Sequence, residues 1–210
     1  MVLEALDQAV GEDAPVGTAI TAAAGRPASP TLVPVARYVS AEFAALERTR
    51  LWPKVWQVAC TVDHVRAPGD FFEYRVGPYS VLIVRDDDGD LRAFQNVCRH
   101  RGNSLCTGTG QGLTELRCGY HRWSWDLQGR LREVPSRKGF GTLRNEDFPL
   151  LTAAVDTWGP LVFVNLDPDA MSLAEYLEGA PADLAWVGFD DFRAEVLVTM
   201  DVAANWKIVA

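Results

Sequence analysis

Residues 98–105, CRHRGNSL, and residues 118–129, CGYHRWSWDLQG, decide how the rest of the chain is read. Each carries one cysteine and one histidine: Cys98 and His100, then, after 17 intervening residues, Cys118 and His121. The whole chain holds four cysteines (Cys60, Cys98, Cys106, Cys118) and three histidines (His64, His100, His121), so two Cys–His pairs stand well clear of coincidence. Chance is one of four readings the residues allow. A disulfide between Cys98 and Cys118 would leave both histidines unexplained. A Cys2His2 zinc site would be tetrahedral and closed, the mark of a zinc-stabilised interaction module. Zinc sites usually pair Cys with Cys and His with His along the chain, whereas here each segment offers one of each. That mixed order suits a dinuclear iron–sulfur site, both segments giving one thiolate to one iron and one imidazole to the other.

Working outward, the apolar pattern has a period of two. VWQVACT (55–61), DFFEYRV (70–76), YSVLIVR (79–85) and LRAFQNV (91–97) read as strands, as do LTELRC (113–118), SWDLQ (124–128), LREVP (131–135) and LVFVNLD (161–167). Asp88-Gly89 signals a tight hairpin, and Gly129 joins SWDLQ to LREVP. The expected fold is mainly β, α+β overall: small antiparallel sheets, a two-loop subdomain, peripheral helices and the start of a second domain. Ser40 is a fitting N-cap for AEFAALERTRLW, which sets Phe43, Leu46 and Leu51 on one face and stops at Pro53. Residues 1–36 show no apolar period and are expected to form a flexible tail. Beyond Pro168, Ser172 caps a helix (LAEYLEG) and AEVLVTM (194–200) reads as a strand. ANWKIVA then opens a helix without a closing signal, so the C-terminus reads as cut. The expected domains are 1–36, 37–168 and 169–210, the last incomplete.

Twenty basic against 28 acidic side chains give a net charge of −8, the wrong sign for a nucleic-acid partner. No apolar run approaches the roughly 18–20 residues that cross a bilayer, and MVLEALDQAVGEDAP has acids where an export signal needs bases, so no membrane association and a cytoplasmic location are expected.

CRHRGNSL and CGYHRWSWDLQG resemble the two cluster-binding boxes of Rieske 2Fe-2S proteins. The resemblance implies that Cys98 and Cys118 bind the inner iron and His100 and His121 the outer one. Respiratory Rieske proteins carry one extra cysteine in each box, but Tyr120 stands where the second would be, which leaves Cys60 and Cys106 as free, partly buried thiols. VWQVAC, APGDFFEYRVGPYSVLIVRDDDGDLRAFQNVCRHRG, DTWGPLVFVNLDP and the terminal NWK look like the N-terminal half of the large (α) subunit of Rieske non-haem iron oxygenases, the aromatic-ring-hydroxylating dioxygenases. That implies electrons taken from a ferredoxin or flavin reductase, assembly as a homo-oligomer or α/β hetero-oligomer, and delivery to a mononuclear Fe(II) that hydroxylates a substrate with dioxygen. Such an iron sits in a two-His, one-carboxylate triad. With two histidines in the cluster boxes only His64 is left, so the chain reads as the electron-accepting half without its oxygen-activating half. A stand-alone Rieske carrier is the alternative.

Two positions depart from the common pattern. Gly119 replaces a frequent Pro, and Arg122 replaces a Gly that would suit an unusual backbone angle, which leaves the shape of the second loop open. Between Leu91 and Phe140 stand nine basic and three acidic residues, a local +6. Within it Arg99, Arg101, Arg122 and Arg132 read as a docking collar for an acidic electron donor, or else as arginines bound to nearby carbonyls and acids. Trp123 reads as a shield for the cluster or as core packing, with Trp123 and Trp125 expected on opposite faces of a strand.

Overall fold

The computed structural model describes residues 33–209. The expected N-terminal tail therefore lies outside the described residues apart from its last four, the last of which opens a short helix, Ala36–Val39. The chain divides into two units, one comprising residues 53–197 and the other, among the described residues, 33–52 with 198–209.

The larger unit is antiparallel β throughout. Its strands are β1 (Gln57–Thr61), β2 (Phe71–Val76), β3 (Tyr79–Arg85), β4 (Leu91–Gln95), β5 (Thr109–Gly110), β6 (Leu116–Arg117), β7 (Ser124–Trp125), β8 (Leu131–Glu133), β9 (Thr152–Trp158) and β10 (Leu161–Asn165). Seven form one sheet in the order β1-β10-β9-β4-β3-β2-β5, and β6-β7-β8 form a second. β3 is the spine. Its four apolar residues are fully buried and alternate in direction, as a strand requires. Leu82 and Val84 enter a core with Phe71, Phe94, Trp125 and Leu127, while Val81 and Ile83 enter another with Val162 and Val164. Burying each of the four contributes roughly 1.5–3 kcal/mol. The first of these cores also contains Cys98, Cys118 and Trp123.

The turn between β3 and β4 is organised by Asp86, whose carboxylate is fully buried. It accepts from the N–H groups of Asp88 (3.0 Å) and Asp90 (2.9 Å) and from Arg92 Nε (2.8 Å), while Gly89 supplies the positive φ the hairpin needs. Ser172 and Glu175 form a reciprocal capping box that starts helix Leu173–Leu177, as the sequence predicts.

Two expectations are corrected, and two strands lie outside the expected set. β9 carries a strand that its small and acidic residues do not advertise, and β5 is two residues with little side chain to read. The strand expected at 194–200 does not form: Val196, Leu197, Val198 and Met200 are exposed, because the period-two pattern finds no partner edge among the described residues. The helix from Ser40 begins as expected, with Ser40 Oγ accepting from Phe43 N (3.1 Å), but beyond Leu46 it widens into a π-helical turn, Glu47–Leu51. There Thr49 Oγ1 donates to Ala45 O (2.9 Å), occupying the carbonyl that an α-turn would use.

Within the smaller unit the NWK stretch is fully engaged. Asn205 Nδ2 donates to Tyr38 O (3.0 Å), Trp206 meets Trp52 edge-on at 4.9 Å, and Lys207 Nζ pairs with the buried Glu47 carboxylate at 2.6 Å. Among the described residues no helix is long and apolar enough to cross a membrane.

Burial pushes the Asp86 carboxyl up, but Arg92 and the N–H groups of Asp90 and Asp88 outweigh it and hold it below its ordinary value. Its contribution is thus complete above the unfolded-chain value of about 3.9 and lost as pH falls through the lower folded value. Asp86→Asn should lower unfolding free energy at pH 7 by about 1.5–3 kcal/mol. Denaturant midpoints of the two proteins should converge toward pH 2; a gap independent of pH would trace the effect to shape rather than charge.

Candidate metal centre

The two Cys–His segments are loops of one design. The first leaves β4 of the large sheet; the second is the tip of the β6–β7 hairpin of the small one. In the first, Cys98 N–H donates to Asn103 O (2.8 Å) and Gly102 N–H to Cys98 O (2.9 Å). In the second, Cys118 N–H donates to Trp123 O (2.9 Å) and Arg122 N–H to Cys118 O (3.0 Å). Both closures place the fifth residue at positive φ, +77° at Gly102 and +61° at Arg122. Glycine adopts that conformation freely, whereas a residue with a Cβ is strained by about 1–2 kcal/mol. The Gly-to-Arg departure therefore leaves the turn intact and stores strain in it.

The thiols lie inside and the imidazoles outside. Cys98 and Cys118 are 3% and 2% exposed, while His100 and His121 sit half-buried at the rim with ring centroids 4.7 Å apart. No disulfide joins the cysteines. Burial and then the neighbouring Cys118 push the Cys98 thiol up, although the N–H groups of His100 and Arg101 point at it. For Cys118 the burial penalty is outweighed by the N–H groups of Tyr120 and His121, by the Cys98 thiol and by the Asn103 amide, so its thiolate is the more favoured of the two. Burial, then the charges of His121 and Arg101, lower the His100 pKa and keep the ring neutral, as a metal ligand must be. His100 Nδ1 is buried with no hydrogen-bond partner. A buried nitrogen with its hydrogen-bonding capacity unused suits a metal donor, and these four side chains, two thiols and two imidazoles, are the ones that could hold a cluster spread over two irons.

Each imidazole has an aromatic partner. Trp123, buried, stacks on His100 at 5.0 Å with the planes 5° apart, and Phe140 packs edge-on against both rings. Tyr120, 60% exposed, lies over His121 at 3.8 Å, with the Arg101 guanidinium 5.7 Å from the Tyr120 ring. Trp123 and Trp125 do not face apart: their rings are 6.3 Å from each other in one core, since residues two apart on a strand share a side. Phe140 and Phe148 were not legible as site residues, because they reach Trp123 from a loop far along the chain.

The basic segment divides. Arg92 pairs with Asp86 and Asp90, Arg117 with Glu115 and Glu133, Arg130 with Asp126, and Arg137 donates to Leu143 O and Asn145. Arg101, Arg122 and Arg132, all exposed, form no ion pair among the described residues; Arg99 is half-buried, with Nε buried and unpartnered. His64 stands apart from the centre, its Nδ1 engaged by Thr61 at the start of a short 3-10 helix, Val62–Val65. Cys60 and Cys106 are free thiols, pushed up to about 12 and about 11 by burial, Glu73 adding to the effect at Cys106.

Two antiparallel sheets presenting matched Cys–His loops define the class: residues 55–152 match the family described as the Rieske [2Fe-2S] domain. The chain is related to the Rieske oxygenase α subunits through that domain. It is 33% identical over 141 residues to benzene 1,2-dioxygenase subunit alpha of Pseudomonas putida, covering 67% of this chain and 31% of that protein. It is 28% identical over 172 residues to the glycine betaine monooxygenase oxygenase subunit of Pseudomonas aeruginosa (strain UCBPP-PA14), covering 82% and 40%. Among solved structures, the quaternary ammonium Rieske monooxygenase CntA in complex with L-carnitine matches with a TM-score of 0.77 at 26% identity, over 83% of this chain and 50% of that one. The chain thus spans between 31% and 50% of the length of these relatives.

Arg122→Gly should remove the strain in the second loop and stabilise the protein by up to about 1 kcal/mol, after the entropy glycine adds to the unfolded chain. Gly102→Ala should destabilise it by about 1–2 kcal/mol through the backbone alone, since an added Cβ would meet nothing closer than Val97 Cγ2 at 3.9 Å. Thermal unfolding of both variants checks the pair; shifts of the same sign would refute the shared turn geometry.

Proposed function

We propose that Cys98 and Cys118 ligate one iron, and His100 and His121 the other, of a [2Fe-2S] cluster, and that the chain is the electron-transfer part of a ring-hydroxylating oxygenase. The observation that carries this is the inner thiol pair and outer imidazole pair on two matched loops. When bound, such a cluster accepts and gives up one electron at a time. Two thiolates with two neutral imidazoles bring half the negative charge of four thiolates, so this donor set favours reduction at a higher potential than an all-cysteine site. Trp123 covers one face of the His100 ring.

In this reading residues 37–168 are the Rieske domain with its leading helix, and 169–210 open the catalytic domain. A two-histidine triad cannot be assembled from His64 alone, so the mononuclear Fe(II) that hydroxylates an aromatic or related substrate with dioxygen is held outside these 210 residues. Electrons come from a ferredoxin or flavin reductase in the cytoplasm, and the whole protein works as a homo-oligomer or α/β hetero-oligomer. An acidic donor meets the rim through Arg101, Arg122 and Arg132, which are exposed and form no ion pair among the described residues, although the Arg132 charge also acts on Glu115.

Iron, zinc and acid-labile sulfide per chain, with an electron paramagnetic resonance spectrum after reduction, test the cofactor. About two irons and two sulfides are expected. About one zinc without sulfide would replace this reading with an interaction module, and about three irons would overturn the histidine argument. Arg122→Glu with Arg132→Glu should slow reduction by an acidic donor protein and flatten its salt dependence; unchanged rates would sink the docking surface.

A further inference from the structure

The two loops close alike but are anchored differently. The second is flanked by paired strands, Arg117 of β6 standing opposite Ser124 of β7. The first has no such ladder: β4 ends at Gln95, and the chain returns at Leu105 and Cys106, which belong to no strand. The Asn96 side chain closes the gap. It is 5% exposed, and its Oδ1 accepts from Leu105 N (2.9 Å) and Cys106 N (3.2 Å). Its Nδ2 is directed at Cys106 O (2.7 Å), Ser80 Oγ (3.0 Å) and Glu73 Oε1 (3.2 Å). One amide thus clasps the departing and returning arms, replacing the missing rung of the sheet.

Glu73 fixes that amide. Its side chain is 4% exposed; Oε1 also accepts from Ser80 Oγ (2.7 Å) and Arg75 Nε (2.8 Å), and Oε2 accepts from Gly108 N (2.8 Å). Burial pushes its carboxyl up, but Gly108, Ser80 and Arg75 outweigh that and hold it below the usual range. A carboxylate that only accepts compels Asn96 to present Nδ2 to it, which leaves Oδ1 for the two backbone N–H groups. A flipped amide would set oxygen against oxygen on one side and nitrogen against N–H on the other.

We propose that Asn96 and Glu73 are positioning residues that hold the Cys98–His100 loop in register with the Cys118–His121 loop, an inference that rests on the cluster reading above. Asn96→Asp keeps the shape but turns a donor into a second carboxyl facing Glu73 and Cys106 O.

The test is made on the full chain carrying its cluster. It reads the half-life of the visible iron–sulfur absorption against an iron chelator, the electron paramagnetic resonance line shape of the reduced protein, and far-ultraviolet circular dichroism. Asn96→Asp should shorten the half-life by about tenfold or more and broaden the signal while keeping the β spectrum. If Asn96→Asp does not fold, Glu73→Gln alone should shorten the half-life in the same direction by a smaller factor. Wild-type half-life and line shape in whichever of these folds would overturn the proposal. Wild-type protein that takes up no iron and sulfide would instead overturn the cluster reading.

Discussion

Cys98 and Cys118 lie in one buried core although their loops belong to different sheets, and keeping them there is the constraint the larger unit serves. A loop position is only as definite as the joint between the sheets that carry it. That joint is tied at several points. Gln128 Nε2 donates to Asp88 Oδ2 (2.6 Å), Leu150 N donates to Gly129 O (2.9 Å), and Trp125 Nε1 donates to Phe148 O (2.8 Å). Gly129 packs so closely on Phe94 that a Cβ would collide with the ring, a second demand on this glycine besides its positive φ. Both sheets send side chains into the core that contains the two cysteines, so unfolding either face exposes the thiols.

How much of this the sequence disclosed depends on whether the information was local. The ligand spacing is local, and so are the capping residues Ser40 and Ser172 and the Asp88-Gly89 turn; all are legible. β3 is legible because a run of four apolar residues buried on both faces can hardly be anything else at that length. β9 escaped because its pairing with β4 and β10, rather than its own residues, makes it a strand. The AEVLVTM segment is the converse case, a strand pattern with no partner among the described residues. The clasp at Asn96 joins residues 23 apart to Glu73 and 10 apart to Cys106, distances over which a single sequence carries no signal.

Arg122 illustrates a different limit. A glycine at the fifth position of a loop advertises a positive φ, while an arginine there conceals it, since local preference argues against the conformation the tertiary structure imposes. The matching hydrogen bonds of the first loop, where Gly102 stands at the same place, expose the requirement. A side chain held at this angle is turned outward, which puts its charge at the rim where the proposed donor would arrive.

The net charge of the chain and the charge near the cluster have opposite signs, and their ranges decide which one a partner feels. At physiological ionic strength the screening length is about 8 Å, so acids farther than that from the approaching surface are largely neutralised by counterions. The arginines paired with Asp86, Glu115, Glu133 and Asp126 present dipoles, while Arg101, Arg122 and Arg132 are exposed and form no ion pair among the described residues. A burial gradient runs along the same direction, from thiols sealed in the core to half-buried imidazoles and then to Tyr120, exposed above His121. On the reading proposed above, the imidazole side would connect a bound cluster to the surface through rings in contact, His121 with the exposed Tyr120, whereas the core separates the thiol side from solvent. On the proposed reading the imidazole edge and the Arg101 charge beside Tyr120 share one face, where an acidic protein would offer an acidic donor a local surface of opposite sign.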